Sequence, residues 1–221
     1  MFNETEWQTK LATVMPALEG WCTPEKALKL VEVIITNHIH QVVEIGIYGG
    51  KSLIPMALAV QAVNPTSGNC YGIEAWSNQV AIEEQTCPEN DTWWSKLDII
   101  LIKNKFLKYL TESSLAGIVR IIELPVTESL QIFKQRRYRR KIGLIHVDGN
   151  HSENQSVRDV KLAHSILHHN GVLVLDDIDW QSVAKAHRWI KNHGVTMFEA
   201  PGFGIYRIKK PLWRRAYEKF L

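Results

Sequence analysis

The sequence predicts an α/β fold: a doubly wound, buried and mostly parallel sheet of seven strands, with a helical cap ahead of the first strand. Three apolar runs, residues 42–46, 142–148 and 172–176, end in small or acidic residues. Long stretches of helical periodicity separate them, and strands that alternate with helices pack as a parallel sheet covered on both faces. Residues 71–74 and 119–123 read as two further strands. Residues 196–199 and 205–208 read as a closing pair around the turn Pro201-Gly202-Phe203-Gly204.

Helices are expected over residues 4–18, 24–37, 51–62, 93–110, 126–138, 153–168 and 181–193. The first two precede the first strand and form the cap, residues 1–40. The second has a marked start, because Thr23 supplies a capping oxygen and Pro24 lacks an amide that would need a partner. Residues 76–94 are less regular and carry Trp76, Trp93 and Trp94 among polar residues. The segment 76–110 is read either as a substrate lid or as a surface excursion whose indoles pack on the domain.

No composition shift, repeat or linker divides the 221 residues, so one domain spanning 1–221 is expected. The 26 basic and 23 acidic residues nearly balance, which implies neither a nucleic-acid nor a membrane partner. No apolar run reaches the length of about 20 residues that a membrane-spanning helix needs, and the first ten residues do not read as a signal peptide. Cys22, Cys70 and Cys87 are too few and too scattered for a disulfide framework or a zinc site, so a reducing, cytoplasmic setting is expected.

Glu44-Ile45-Gly46-Ile47-Tyr48-Gly49-Gly50-Lys51-Ser52 lies where the first strand turns into a helix, and its glycines admit a ligand close to the backbone. Glu44 would repel a dinucleotide pyrophosphate but suits a cofactor with a sulfonium and an ammonium, which favours S-adenosylmethionine (SAM) over NAD. Glu74, at the end of the next strand, is suited to accept hydrogen bonds from a ribose diol. Asp148 ends one strand and Asp176-Asp177 end the next, so three carboxylates are expected to converge at the rim where such sheets bind ligands. Like charges so close call for a cation, and oxygen donors select a hard one such as Mg²⁺. His151, three residues beyond Asp148, is the candidate base for a hydroxyl proton.

With those residues in place, the chain resembles the metal-dependent class I methyltransferases that modify sugar hydroxyls of macrolide and aminocoumarin natural products. The resemblance runs over about residues 24–180 and rests on Glu44-Ile45-Gly46 through Gly50, on Gly72-Ile73-Glu74-Ala75-Trp76, on Asp148-Gly149-Asn150-His151-Ser152 and on Asp176-Asp177. It implies a Rossmann-like sheet in the order 3-2-1-4-5-7-6 with strand 7 antiparallel. It also implies SAM on Glu44, Gly46, Tyr48, Gly50, Ser52, Glu74, Ala75, Trp76 and Asp148, and Mg²⁺ or another divalent cation on Asp148, Asp176 and Asp177. The partner implied is a small-molecule hydroxyl acceptor, with Asp148 and His151 as catalytic residues. Some relatives place an aspartate at the position of Asn150 and use it as base, whereas others offer a histidine at the position of His151.

Two basic runs, residues 134–141 and 209–215, keep a nucleic-acid methyltransferase as an alternative, although a helix end explains the first more simply. The second is expected to pack on a neighbouring subunit of a homo-oligomer or to fray. A further alternative is a non-catalytic or NAD-dependent nucleotide-binding protein.

Overall fold

The computed structural model describes residues 1–84, 86–135, 138 and 141–209. Arg136, Arg137, Arg139 and Arg140 of the first basic run, and all but Lys209 of the second, lie outside the described residues. Seven strands form one sheet: β1 (Gln41–Ile45), β2 (Asn69–Ile73), β3 (Val119–Ile122), β4 (Leu144–Val147), β5 (Val172–Asp176), β6 (Gly194–Ala200) and β7 (Phe203–Ile208). Their order is β3-β2-β1-β4-β5-β7-β6, with β7 antiparallel to both neighbours and the other neighbouring pairs parallel. This is the Rossmann-like order the sequence resemblance implies.

The register fixes the site. Ile45 lies opposite Val147 of β4 and Ile73 of β2, and Val147 lies opposite Leu175 of β5. The residues that follow β1, β2, β4 and β5 therefore emerge together at one edge. The strand reversal between β1 and β4 opens a crevice there, as in other open α/β sheets.

Nine helices of the described residues surround the sheet: α1 (Glu4–Val14), α2 (Pro24–Thr36), α3 (Leu53–Val63), α4 (Asn78–Ala81), α5 (Pro88–Lys96), α6 (Ile99–Glu112), α7 (Val126–Ile132), α8 (Glu153–Ile166) and α9 (Ala184–His193). Alternation along β1 separates two cores: Val42 packs with α2 and α3, while Val43 and Ile45 pack with α8 and α9. The cap helices α1 and α2 sit over the first of these layers. Among the described residues no helix is long and apolar enough to cross a membrane.

Three helices depart from the periodicity. The expected helix over residues 93–110 is broken at Leu97, whose φ of −71° and ψ of 135° are extended, and Asp98 caps the new start by accepting from the Leu101 amide at 3.0 Å. The expected helix over 4–18 ends at Val14 and tightens into a 3-10 turn, Met15–Ala17, where Pro16 has no amide to continue the ladder. The helix expected over 126–138 stops at Ile132.

Candidate active site

A cavity of about 1360 Å³ opens at the carboxyl edge of the sheet. The turn after β1, Glu74 and Ala75 after β2, Asp148 to His151 after β4, Asp176 at the end of β5 and Asp177 just beyond it all line it. The cap contributes Trp21, Cys22, Thr23 and Lys26, and the irregular segment contributes Trp93 and Trp94.

The glycine turn is held by the carboxylate beside it. Glu74 Oε2 accepts from the amides of Ile47 (3.2 Å) and Tyr48 (3.1 Å), and Oε1 accepts from the Trp76 amide at 3.1 Å. Burial pushes the Glu74 pKa up, and these amide bonds oppose it. Gly46, at φ 79°, has no room for a side chain: a Cβ there would run into the carbonyl of Asp148. Gly50, at φ 83°, is similarly pressed against the ring of Phe106. Ser52 is buried on the cavity wall.

Glu44, Gly50 and Trp76 are not on that wall. Trp76 is buried against Phe106, and its indole N–H donates to the Tyr48 carbonyl at 3.0 Å, so it braces the turn from behind. Glu44 is fully buried and shares a hydrogen bond of 2.6 Å with His146 Nδ1. The rings of Trp21, Tyr48, Trp93 and Trp94 meet instead at the cavity mouth, with centroids 4.9 to 6.5 Å apart.

The three predicted aspartates do converge, and a fourth group joins them that the sequence pattern did not single out. Lys26, in the first turn of α2, is 7% exposed and forms an ion pair with Asp176 Oδ2. Its Nζ lies 3.8 Å from Asp148 Oδ2. Burial acts against its charge, and the Asp148 and Asp176 carboxylates overcome that, so its pKa is raised. Burial also acts to raise Asp176, but Lys26 and then His146 hold that carboxyl below the usual range. Asp148 is pushed well above it, by burial first and by the neighbouring Asp176 second. Cys22, beside Lys26, is raised to about 12 mainly by burial, so its thiol stays protonated at neutral pH.

Asp177 stands apart from this pair. It has φ 51°, a left-handed backbone that is uncommon outside glycine and clusters at functional sites. Its Oδ2 approaches His151 Nε2 to 2.6 Å, and the same nitrogen lies 3.8 Å from Asp148 Oδ1. The imidazole of His151 leans on the indole of Trp180, with centroids 5.0 Å apart. Asp148, His151 and Asp177 each offer a donor atom within 4.8 Å of the others, a set chemically suited to a divalent cation.

Asn150 is structural. Its amide nitrogen donates to the carbonyls of Val80 (3.3 Å), Ala81 (3.1 Å) and Glu83 (2.8 Å), while its oxygen accepts from Ser152 N at 2.8 Å. It thereby ties the end of α4 to the Asp148 turn. An aspartate there would have no N–H to give those carbonyls, which accounts physically for the amide.

Behind the same turn, buried Asp159 accepts from Gln155 Nε2 at 3.0 Å, and its second oxygen has no partner. Burial raises its pKa from 3.8 to about 8. The ionised form is the costly one in the fold, so the contribution of Asp159 to stability is full below about pH 4 and is lost as pH rises towards 8. Asp159→Asn keeps the acceptor for Gln155 and removes the titration. Chemical denaturation at pH 5 and pH 8 should show the wild type losing stability between the two, by a few kcal/mol at most, and the variant losing much less. Parallel pH profiles would contradict this assignment.

The fold and its cavity define a class I methyltransferase architecture. A model of the methyltransferase domain matches residues 43–178, more than half of the chain. The protein therefore belongs to that methyltransferase family. Among curated proteins, none matches it by sequence. Solved structures share the fold. The O-methyltransferase from Bacillus cereus, in complex with SAH, is 14% identical with a TM-score of 0.63, over 92% of this chain and 91% of that one. The O-methyltransferase TomG of Streptomyces achromogenes, involved in tomaymycin synthesis and solved with SAM, is 14% identical with a TM-score of 0.65, over 95% and 100%. The calicheamicin methyltransferase CalS11 is 12% identical with a TM-score of 0.61, over 92% and 91%.

Proposed function

We propose that the protein is a SAM-dependent O-methyltransferase that acts on a hydroxyl of a small molecule, a sugar or another natural product, with a divalent cation at the acceptor site. The observation that carries this reading is the arrangement of one cavity: the glycine turn and Glu74 line one part, and Asp148, His151 and Asp177 line another. Its volume of about 1360 Å³ exceeds the roughly 300–1000 Å³ of an ordinary ligand pocket, as two co-bound reactants require. Tomaymycin and calicheamicin enzymes among the structural neighbours add weight to a natural-product acceptor. The four-ring mouth and the segment 76–110 would serve as its lid.

SAM supplies a methyl group on a positively charged sulfur, open to attack by an oxygen nucleophile. Gly46 lets that cofactor approach the backbone, and Glu74 would accept its ribose hydroxyls. A divalent ion, which Asp148, Asp176 and Asp177 would hold, would lower the pKa of the acceptor hydroxyl. His151 Nε2 takes the hydroxyl proton, and Asp177 Oδ2 beside it stabilises the resulting imidazolium. Trp180 limits the tilt of that ring. A cytoplasmic setting accords with three cysteines that are all free thiols.

The test is transfer of a labelled methyl group from SAM to a panel of hydroxylated small molecules, with and without EDTA. Transfer that falls on chelation and returns with Mg²⁺ or Mn²⁺ is the expected result; transfer indifferent to chelation would remove the metal. His151→Ala should lower turnover by roughly 10² to 10⁴. A loss under tenfold would leave His151 only an orienting part.

A further inference from the structure

Lys26 is in an unfavourable place for a lysine. It sits in the first turn of α2, where the helix dipole repels a cation, and it is almost wholly removed from water. The carboxylates it meets offset those costs, and the ring of Phe203 lies 5.8 Å from the ammonium as well. It is the described ammonium paired with Asp176, and it lies within 4 Å of Asp148 as well. The fully buried His146 faces the same carboxylate, with Nε2 at 3.8 Å from Asp176 Oδ2 and no hydrogen-bond partner.

A charge tally then follows. Asp148, Asp176 and Asp177 carry three negative charges when ionised, and Lys26 carries one positive charge. The remainder is two, the charge of a single divalent ion. Asp176, moreover, is missing from the donor group that Asp148 and Asp177 form with His151.

We propose that Lys26 is a resident cation of the acceptor site: it takes Asp176 for itself and leaves a divalent ion to Asp148 and Asp177. The inference rests on the metal reading above but differs from it in what it requires. Affinity for a hard cation rises with the number of charged ligands. Lysine thus sets that number at two, and the ion is held loosely, with open positions for an acceptor oxygen. Lys26 acts through Asp176 and is a positioning residue.

The test is a double-variant cycle read by Mn²⁺ binding, with free Mn²⁺ followed by electron paramagnetic resonance and no acceptor present. Lys26→Met frees Asp176 and should bind Mn²⁺ roughly 10-fold or more tightly than wild type. Asp176→Asn, with Lys26 now turned to Asp148, should bind more weakly. The double variant restores the tally of two and should bind as wild type does, so the gain is traced to Asp176. Lys26→Arg should also match wild type. Circular dichroism and melting curves confirm folding, and the double variant, free of any unpaired charge at the Lys26–Asp176 pair, keeps the comparison available if Lys26→Met does not fold.

Wild-type binding that Lys26→Met leaves unchanged or weakens would overturn the inference while the metal reading stands. Binding by Lys26→Met with none by wild type would overturn both the metal reading and the inference, since the ammonium then replaces the ion rather than leaving it to Asp148 and Asp177. Absence of binding in every variant would overturn both. If Lys26→Met does not fold, a double variant that binds differently from wild type overturns the inference, and one that matches a binding wild type upholds it.

Discussion

Asp177→Ala is expected to lower methyl transfer by roughly 10³-fold, several kcal/mol of transition-state stabilisation, while adenosylhomocysteine binding stays within about twofold of wild type. Two losses combine in this one carboxylate. On the proposed reading it is one of the two oxygen ligands left to a cation once Lys26 has engaged Asp176, and it stands 2.6 Å from the nitrogen of His151. The turn that would hold the cofactor is anchored instead by Glu74, which accepts from the Ile47 and Tyr48 amides. Calorimetry with adenosylhomocysteine and single-turnover assays separate the two effects. A variant with near wild-type turnover would take Asp177 out of the acceptor site; one that loses the cofactor as well would make its role structural. Asp176→Ala differs in kind, since it leaves the buried ammonium of Lys26 with Asp148 in place of its close partner, so its loss of activity should come with a loss of stability.

Gly46→Ala is expected to destabilise the fold by roughly 3 kcal/mol or more, beyond the usual range for a single substitution. Its φ of 79° is strained for alanine, and the added Cβ would collide with the Asp148 carbonyl, with Asp148 C at 2.7 Å and Gly149 Cα at 2.8 Å. Backbone, not a flexible side chain, would have to move. Gly202→Ala is the matched control, because its φ is 88° but nothing lies within 4 Å of the new atom. It should cost only about 1 kcal/mol. Urea unfolding of both variants measures the difference, and equal losses would show that backbone conformation alone, and not the approach to Asp148, sets the requirement at Gly46.

Those two glycines illustrate how far a chain can be read before it is folded. A glycine at a strand-to-helix turn is recognisable in sequence, but the partner that forbids a side chain lies some hundred residues away. The expected helix over 93–110 fails for a smaller reason. Its apolar periodicity continues across Leu97 and Asp98, and an aspartate that caps a helix looks no different in sequence from one on a solvated face. Asn150 was visible as a departure at the place of an acid, yet its meaning depends on three carbonyls from a segment about seventy residues earlier.

Lys26 was the least legible of all. A lysine near a helix start, beside Glu25 and in a chain with 26 basic residues, carries no mark of burial. Only the packing of α2 across the sheet edge brings its ammonium to the aspartates. Trp76 is a case of another kind: it belongs to the motif that suggested a cofactor contact, and in the fold its ring packs against Phe106 and is not part of the cavity lining.

By itself, then, the sequence determined the alternation of strands and helices, the strand ends that carry Glu74, Asp148, Asp176 and Asp177, and so the edge at which a site must form. Periodicity and strand termini are local properties, and parallel strands bring their ends together whatever the side chains there later do. The tertiary structure alone decided which carboxylate faces which basic side chain, that Asp176 answers to Lys26 and Asp177 to His151, and that Glu44 is spent on His146. Charges interact through space, so their pairing is settled by distances the chain acquires only when it is folded.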